Sequence, residues 1–319
     1  MASNSAALAV LAFAVALYFL YSFGPLHHVH TTGAILITGA AKGIGRHAAE
    51  ALAADLGPAF LILAGVRSAA DAAELRALGV PNLEPVTLDV STNAGVRSGM
   101  EEVAAALERR GMPLIGVVNN AGQARGPTTV EFHDAEDAAR LFEVNFFGGM
   151  RVTQAALPAL RASRGRVVFV SSIFGALAPP QGGVYAASKF AVEALADSLR
   201  REVGPLGVSV SVVRPGAVAT PIFSTLRDAS IAAAVAARTP AARTYPHLHT
   251  AADVRNEELL ERLAAGPSST TAVIRDALRA ERPRARYLCA NLLGVPVTVF
   301  QFLAAVLPDR ALDVVLGLK

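Results

Sequence analysis

The chain has 319 residues, more than one large α/β domain requires, and its composition is apolar for a soluble protein, with 53% hydrophobic and 17% charged residues. Its formal net charge is only +3, and the sequence has no basic stripe with interleaved aromatic residues, so nucleic acid is excluded as the expected partner. The single cysteine, Cys289, excludes an intrachain disulfide and a cysteine-based zinc site.

The N-terminus is the most apolar part of the chain. No Lys, Arg, Asp or Glu precedes Lys42, and the run from Ala6 to Phe23 is apolar except for Ser22. A run of this length can span the hydrocarbon core of a bilayer, and its two tyrosines lie toward one end, as in an interfacial belt. We therefore predict an N-terminal membrane-anchor helix and linker over residues 1–32.

Two other interpretations of this segment stay open. A cleaved signal peptide would need a positive n-region and a shorter apolar core, and Met1 to Ser5 carries no positive side chain. A buried helix is the third interpretation. The facing of the anchor in the membrane also stays open, because the short side has no charged residue on which the positive-inside bias could act.

From Gly33 onward, short apolar segments alternate with segments of helical periodicity, the first of which is Gly43 to Leu56. The predicted strands are Ala34–Thr38, Ala59–Ala64, Leu83–Leu88, Leu114–Val118, Arg166–Ser171 and Gly207–Val213. Continuous apolar strands separated by helices indicate a parallel sheet that is covered on both faces. The sequence therefore predicts an α/β fold, a doubly wound parallel sheet of the Rossmann type, over residues 33–319.

Two segments do not follow this alternation. Residues 224–271 are long, rich in alanine and contain three prolines, and we interpret them as a substrate lid. Tyr287 to Leu307 is an apolar tail that contains Pro296. We interpret it as a last strand followed by a C-terminal hydrophobic flap over the substrate pocket, with a second membrane contact as the alternative.

The loop between the first strand and the first helix, Thr38 to Gly45, reads TGAAKGIG. Glycines at this place let the backbone turn sharply and approach a pyrophosphate, which sits on the amide groups at the start of the helix. A purely structural turn would give the same three glycines, but the position in a βαβ series favours cofactor binding. The loop residues assigned to the cofactor are Gly39, Lys42, Gly43, Ile44 and Gly45.

The end of the second strand predicts the choice of cofactor. A carboxylate at this place would bind the adenosine ribose and repel a 2′-phosphate. The segment instead contains Arg67 and no acid, and Lys42 can add a second positive charge. Since Arg can form a bidentate contact with phosphate, we predict NADP(H), with NAD(H) as the less favoured cofactor.

A third set of residues combines Ser172, Tyr185 and Lys189. Tyr185 and Lys189 are four positions apart in a segment of helical periodicity, so they share one helix face. A nearby ammonium favours the phenolate and lowers the tyrosine pKa toward the working range of a general acid or base. Ser172 closes the preceding strand, where its hydroxyl can hydrogen-bond a substrate carbonyl oxygen.

The chain resembles the short-chain dehydrogenase/reductase family from about Gly33 to Ala219. Besides the glycine loop and the serine, tyrosine and lysine, it matches the family in an acid after the third strand, an Asn-Asn-Ala-Gly motif, a helix asparagine and a Pro-Gly segment. These positions are Asp89, Asn119 to Gly122, Asn145, and Arg214 to Thr220. The resemblance implies that Asp89, Asn119, Tyr185, Lys189, Pro215, Val218 and Thr220 bind the cofactor, and that Asn145 completes a catalytic tetrad.

The implied reaction is hydride transfer between the nicotinamide and a substrate carbon. The resemblance implies that Tyr185 exchanges the proton with the substrate oxygen and that Ser172 holds this oxygen. It implies that Lys189 lowers the tyrosine pKa and binds the nicotinamide ribose, while Asn145 supports a water that relays protons.

Within the family, the segments Ala194–Pro221 and Ala277–Leu316 are similar to the retinol and hydroxysteroid dehydrogenase branch. This similarity implies a lipophilic alcohol or carbonyl as substrate, a steroid, a retinoid or a long-chain lipid ketone. It also implies an internal membrane such as the endoplasmic reticulum in a eukaryote, and a homodimer or homotetramer formed through the helices of Asn145 and Tyr185.

Two alternatives of other classes remain. The chain could be a nucleotide-binding scaffold without turnover, although its tetrad is intact, or a soluble or secreted reductase of small polar carbonyls. No metal site is predicted, because the histidines at positions 27, 28, 30, 247 and 249 have no acidic or cysteine partner nearby in the sequence.

Overall fold

The computed structural model describes residues 26–124, 127–221, 240–248, 262–292 and 294–315. Of the predicted anchor and linker, only residues 26–32 lie within these ranges, and of the predicted lid only 240–248 and 262–271. No helix among the described residues is both long enough and apolar enough to cross a membrane.

The centre of the fold is a parallel sheet of seven strands in the order β3-β2-β1-β4-β5-β6-β7. The strands are β1 (Gly33–Thr38), β2 (Phe60–Val66), β3 (Leu83–Thr87), β4 (Leu114–Asn119), β5 (Arg166–Val170), β6 (Ser209–Pro215) and β7 (Arg286–Cys289). In the register of the central strands, Ile35 of β1 lies beside Ile62 of β2 on one side and Gly116 of β4 on the other. The strand order reverses between β1 and β4, which creates a crevice at the carboxyl ends of the strands.

Helices cover both faces of this sheet. Among the described residues they are α1 (Gly43–Leu56), α2 (Ala69–Ala77), α3 (Asn93–Arg110), α4 (Ala135–Phe142), α5 (Gly149–Ser163), α6 (Gly183–Val203), α7 (Pro240–Thr244), α8 (Pro267–Arg279), α9 (Val297–Val306) and α10 (Asp309–Val315). Side chains of α1, α2 and α8 pack on one face of the sheet, and side chains of α3, α5 and α6 pack on the other.

Alternating strand residues supply the two cores. In β1, Ile35 and Ile37 point into the core beneath α1 and α8, whereas Ala34 and Leu36 point into the core beneath α3, α5 and α6. All six residues of β1 and all seven of β2 are buried, and apart from Thr38 at the end of β1 none of them has a polar side chain, as expected for strands covered on both faces. Each fully buried Ile or Leu side chain contributes about 1.5–3 kcal/mol to folding. The predicted doubly wound fold is confirmed.

Several boundaries differ from the prediction. The second strand begins at Phe60 because Gly57–Ala59, which includes Pro58, forms a 3₁₀ turn. The sixth strand begins at Ser209, after Gly207 has turned the chain with φ of 85°, and it extends to Pro215. Residues 267–271 of the predicted lid belong to α8, which packs on α1 in the core.

The C-terminal tail contains more secondary structure than the sequence indicated. After the predicted last strand, β7, a two-stranded hairpin forms from β8 (Asn291–Leu292) and β9 (Val295–Pro296). The helices α9 and α10 follow it. Pro296 stands immediately before α9, where its missing N–H removes no helical hydrogen bond.

Candidate active site

The candidate site lies at the carboxyl edge of the sheet, where β1, β4, β5 and β6 end. Ser172 follows β5 and caps the short turn Ile173–Gly175, its Oγ accepting a hydrogen bond from the Phe174 amide at 3.2 Å. Tyr185 and Lys189 lie one turn apart near the start of α6, and the Lys189 Nζ is 5.7 Å from the centroid of the Tyr185 ring. The Phe174 ring meets the Tyr185 ring edge-on, with the centroids 6.4 Å apart.

Asn145 reaches this group from a neighbouring helix. It lies in a π-helical segment, Glu143–Gly148, which separates α4 from α5. Its Oδ1 accepts a hydrogen bond from the Gln123 amide at 2.7 Å, and its Nδ2 donates to the Gln123 carbonyl at 3.0 Å and to the Ser188 Oγ at 3.1 Å. These three bonds hold the asparagine against α6, which carries Tyr185.

Gly122 fits between Asn145 and Lys189. A Cβ placed on Gly122 would lie 3.4 Å from the Lys189 Nζ and 3.5 Å from the Asn145 Oδ1. The structure therefore brings Asn145, Ser172, Tyr185 and Lys189 together beside the Asn-Asn-Ala-Gly motif. All but Tyr185 are buried, and Tyr185 is partly buried.

Burial dominates the protonation of the two groups on α6. It raises the pKa of the Tyr185 phenol, and a hydrogen bond with the Ser172 side chain lowers that pKa in part. Burial lowers the pKa of Lys189 to about 8, against the raising effect of the Glu193 carboxylate. The sequence analysis expected Lys189 to lower the pKa of Tyr185. In the structure the Lys189 Nζ instead donates to the Val170 carbonyl at 3.1 Å, and the net effect of the site is to raise the pKa of the Tyr185 phenol through burial.

The glycine loop has the backbone that a pyrophosphate site needs. Gly39 and Gly43 adopt φ of 67° and 62°, which residues with a side chain rarely adopt. A Cβ on Gly45 would lie 2.4 Å from both the Asn120 Nδ2 and the Gly39 carbonyl oxygen, so the loop is closed tightly on β4. The N-cap of α1, Lys42, is extended and makes no side-chain capping bond, and the first turn of α1 has no acidic residue. The free amides at this helix start fit an anionic group, so the residues present fit a dinucleotide.

The two cations predicted for the 2′-phosphate are exposed. Arg67 follows β2 directly, and Lys42 stands at the start of α1. Neither forms an ion pair with another described residue. The nearest acid along the chain after β2, Asp71, accepts a hydrogen bond from the Ser68 hydroxyl at 2.6 Å.

The two asparagines of the Asn-Asn-Ala-Gly motif have different partners. The Asn119 Nδ2 donates to the Thr153 Oγ1 on α5 at 2.8 Å. Asn120, which the sequence analysis did not single out, donates from its Nδ2 to the Thr38 carbonyl at 2.9 Å and to the Gly39 carbonyl at 3.3 Å. Asn120 thus braces the glycine loop, and the second asparagine of the motif was the signal for it.

The remaining cofactor candidates flank this crevice. The Asp89 Oδ1 accepts hydrogen bonds from the Ser91 amide at 3.0 Å and the Ser91 hydroxyl at 2.7 Å, just after β3. The segment after β6 turns back toward the glycine loop, because a Cβ on Gly43 would lie 3.4 Å from the Thr220 Cβ. Pro215 ends β6, and Val218 is buried where it pairs with Ala265. Ile44 is partly buried and packs on the core beneath α1.

Residues 240–248 of the predicted lid lie against the loop before α4. The Tyr245 hydroxyl donates to the Glu131 carboxylate at 2.5 Å, and the Tyr245 and Phe132 rings meet edge-on. The Gln181 side chain donates to the Leu248 carbonyl. Because Gln181 lies four residues before Tyr185, this segment borders the candidate site.

Comparison with known proteins agrees with this geometry. The family model described as short chain dehydrogenase matches residues 33–231. Retinol dehydrogenase 5 of Mus musculus is 36% identical over 291 residues, which cover 88% of this chain and 87% of that protein. 17-beta-hydroxysteroid dehydrogenase type 6 of Homo sapiens is 39% identical over 182 residues, which cover 57% of this chain and 56% of that protein.

Among solved structures, a short-chain dehydrogenase from Streptomyces avermitilis superposes with a TM-score of 0.66. It is 27% identical in sequence, and the match covers 90% of this chain and 94% of that one.

Proposed function

This chain belongs to the short-chain dehydrogenase family, an oxidoreductase family that uses nicotinamide cofactors and interconverts alcohols and carbonyls, and we propose that it does so with NADP(H) on a lipophilic substrate. The observation that carries the proposal is the convergence of four side chains beside the glycine loop. These are Asn145, Ser172, Tyr185 and Lys189.

The nicotinamide, when bound, supplies hydride to the substrate carbon or accepts hydride from it. Tyr185 is the acid/base that passes the proton to the substrate oxygen or takes it away. The Ser172 Oγ accepts a hydrogen bond from the Phe174 amide. Its own hydroxyl proton can therefore be donated to the Tyr185 oxygen or to the oxygen of a substrate. In this assignment Ser172 orients the oxygen that Tyr185 protonates.

Lys189 and Asn145 support this proton transfer. An ammonium at Lys189 stabilises negative charge at the adjacent phenol and can hydrogen-bond a ribose hydroxyl of the cofactor. Asn145, fixed by Gln123 and Ser188, lies where a water could connect Lys189 with solvent. In this proposal Asp89 and Asn119 bind the adenine side of the cofactor, and Pro215, Val218 and Thr220 bind its nicotinamide side.

Apolar walls beside Ser172 support a lipophilic substrate. Ile173 and Leu177, which follow the serine, pack with Val297 of α9, and the partly buried rings of Phe174 and Phe300 join them. Because Ile173, Leu177 and Val297 are buried, the Phe174 and Phe300 rings are the members that offer apolar surface. A carbonyl carried on an apolar skeleton fits this surface better than a small polar one does. Two relatives, named as a retinol dehydrogenase and a hydroxysteroid dehydrogenase, also support a lipophilic substrate. The substrate class is therefore a steroid, a retinoid or a long-chain lipid ketone.

A membrane supply of substrate fits the rest of the chain. We assign residues 1–32 to an anchor and linker and residues 33–319 to the catalytic domain, with a substrate lid over the part of 224–271 that precedes α8. The exposed apolar side chains of α9, Phe302 and Val306, agree with a hydrophobic flap near lipid. The assignment includes an internal membrane such as the endoplasmic reticulum and a homodimer or homotetramer formed through the helices of Asn145 and Tyr185.

A substrate panel tests this function. The full chain in detergent or lipid is assayed with retinal, a ketosteroid, a long-chain ketone and small polar carbonyls such as glyceraldehyde, each with NADPH and with NADH. With NADPH, we expect kcat/KM to be at least about tenfold higher for a lipophilic carbonyl than for a small polar one, since one good apolar contact contributes about 1–3 kcal/mol. Equal turnover of the polar carbonyls, or equal rates with NADH, would contradict the substrate class or the cofactor preference respectively.

A further inference from the structure

A buried ion pair lies directly behind the candidate site. Glu193 follows Lys189 by one turn of α6, and Arg214 is the penultimate residue of β6. The Arg214 Nε and Nη2 donate to the two carboxylate oxygens of Glu193 at 2.6 and 2.8 Å, which is a bidentate contact. The two side chains are only 8% and 7% exposed.

Fold stability alone does not account for this pair. Burying two charges costs desolvation free energy that offsets much of their attraction, and apolar residues of similar volume often serve a core equally well. The pair therefore calls for a role that depends on its charges or on its fixed geometry.

The pair joins three segments of the candidate site. Glu193 stands on the same helix as Tyr185 and Lys189. A Cβ on Gly175 would lie 3.1 Å from the Glu193 Cγ and 3.3 Å from its Oε1, so the carboxylate packs against the turn that Ser172 caps. Arg214 immediately precedes the Pro-Gly segment that turns back toward the glycine loop.

The charged groups around Glu193 lie on its own helix and on two neighbouring strands, whereas the Ile173–Gly175 turn that packs against it carries no charge. Lys189 and Asp197 lie on its own helix, Arg214 on β6, and Arg286 on β7. The Arg286 Nε donates to the Glu193 Oε2 at 3.2 Å, and its Nη2 donates to the Asp197 Oδ2 at 3.0 Å. Glu193 is the negative group that acts on Lys189, where it opposes the lowering of the lysine pKa by burial.

We propose that Glu193 and Arg214 are positioning residues, which fix α6 against the Ser172 turn and set the electrostatic field at Lys189 and Tyr185. The inference rests on the proposed function, because it concerns the same proton transfer. Neither residue touches the reacting atoms in this assignment. Each acts through Lys189 and through the Ser172 turn.

The test compares the pH profiles of kcat/KM for Glu193→Gln and Arg214→Gln. Loss of the carboxylate leaves positive charge in excess, so the pKa that governs the rate should fall by about half to one pH unit. Loss of the guanidinium leaves the carboxylate in excess, so this pKa should rise by a similar amount. The double variant should return near the wild-type profile. A merely structural role would lower the rate but would not move the profile in opposite directions.

Matched controls are Arg201→Gln and Glu202→Gln, which change exposed charges near the end of the same helix and should leave the profile unchanged. If Arg214→Gln does not fold, Arg286→Gln replaces it, because Arg286 is partly exposed and its loss should shift the profile in the same direction. If Glu193→Gln does not fold, Asp197→Asn replaces it for the same reason, with a shift in the direction of Glu193→Gln. Suppose that Tyr185→Phe abolishes turnover but the pH profiles of the pair variants coincide with that of the wild type. This result would overturn the present inference and leave the proposed function intact. Undiminished turnover in Tyr185→Phe would instead overturn the proposed function.

Discussion

The Tyr185 phenol is hydrogen-bonded to the Ser172 side chain and faces the edge of the Phe174 ring, and the Lys189 ammonium lies 5.7 Å from the ring centroid. At this scale burial acts on the tyrosine and the lysine in opposite directions, because it disfavours the charged form of each. It raises the pKa of Tyr185 and lowers that of Lys189 to about 8. From ordinary values of 10.0 and 10.5 the two pKa values therefore move apart, so the Tyr185 phenol keeps its proton near neutral pH and can act as a general acid.

At the residue scale, Arg67 carries the proposed preference for NADPH over NADH, and a single substitution tests it. Replacement of Arg67 by Ala should raise the KM for NADPH by about 10- to 100-fold, since a charge-assisted contact with phosphate contributes about 1.5–3 kcal/mol. The KM for NADH should stay within about twofold, because NADH lacks the 2′-phosphate. Steady-state kinetics with both cofactors measure this change. Arg76→Ala, at an exposed position on α2, is the matched control, and an equal loss with NADH would remove the role given to Arg67.

At the scale of elements, loops and helix ends rather than whole helices bring the candidate residues together. The π-helical turn Glu143–Gly148 changes the direction in which the helix presents Asn145, so that its amide meets Gln123 and Ser188. The glycine loop closes on β4 through Asn120. Each of these local departures from regular geometry lies at the crevice.

The glycine loop gives a prediction at this scale. Gly45→Ala should raise the KM for the cofactor at least about tenfold and destabilise the fold by about 1–3 kcal/mol, because the added Cβ overlaps the Asn120 side chain and the Gly39 carbonyl. Gly204→Ala is the control, since a Cβ there meets no atom within 4 Å and φ is −56°. Cofactor titration and thermal unfolding report the two effects. A Gly45→Ala protein that binds cofactor like the Gly204→Ala protein would contradict the tight-loop account.

Hydrophobic periodicity was sufficient to predict most helices and strands, because buried parallel strands are continuous apolar runs and amphipathic helices repeat apolar residues every three to four positions. The doubly wound sheet and the grouping of Ser172, Tyr185 and Lys189 could be predicted on that basis. The hairpin and helix α9 could not be predicted, because the tail is mostly apolar and shows neither the helical nor the strand period. The Glu193–Arg214 pair could not either, since the two residues lie 21 positions apart and meet only when β6 packs beside α6.

At the scale of the whole molecule, the described linker attaches at the end of the sheet remote from the candidate site. The His27 amide donates to the Glu281 carbonyl at 2.8 Å, just before β7, and its ring lies 3.4 Å from the Gly207 carbonyl, just before β6. Arg166, buried at the start of β5, donates to the His28 carbonyl at 3.1 Å and to the Ala277 carbonyl at 3.0 Å. The linker is thus held at the amino ends of the strands, and the crevice opens at their carboxyl ends.

This linker should respond to acid. Burial lowers the pKa values of His27 and His30 below the ordinary 6.5, and the positive charge of Arg166 lowers them further. The docked state therefore favours neutral histidines, so its stability is full above about pH 6.5 and is lost as the pH falls below this value through the lowered pKa values of His27 and His30. The hydrogen-exchange protection factors of residues 27–32, which correct for the slower intrinsic exchange of amides in acid, should fall between pH 7 and pH 5.

The double variant His27→Gln/His30→Gln should lose this pH dependence, whereas His28→Gln, at an exposed position, should keep it. Protection factors that fall equally with acid in the double variant would assign the effect to other groups.

The central claim is that Tyr185 exchanges the proton of the substrate oxygen while hydride is transferred. Its most direct test is single-turnover oxidation of NADPH by the full chain, with the best carbonyl of the panel, in the wild type and in Tyr185→Phe. We predict a rate at least about 100-fold lower in the variant, the usual contribution of general acid catalysis, with the Kd for NADPH changed less than about threefold. A rate in Tyr185→Phe equal to that of the wild type would contradict the account.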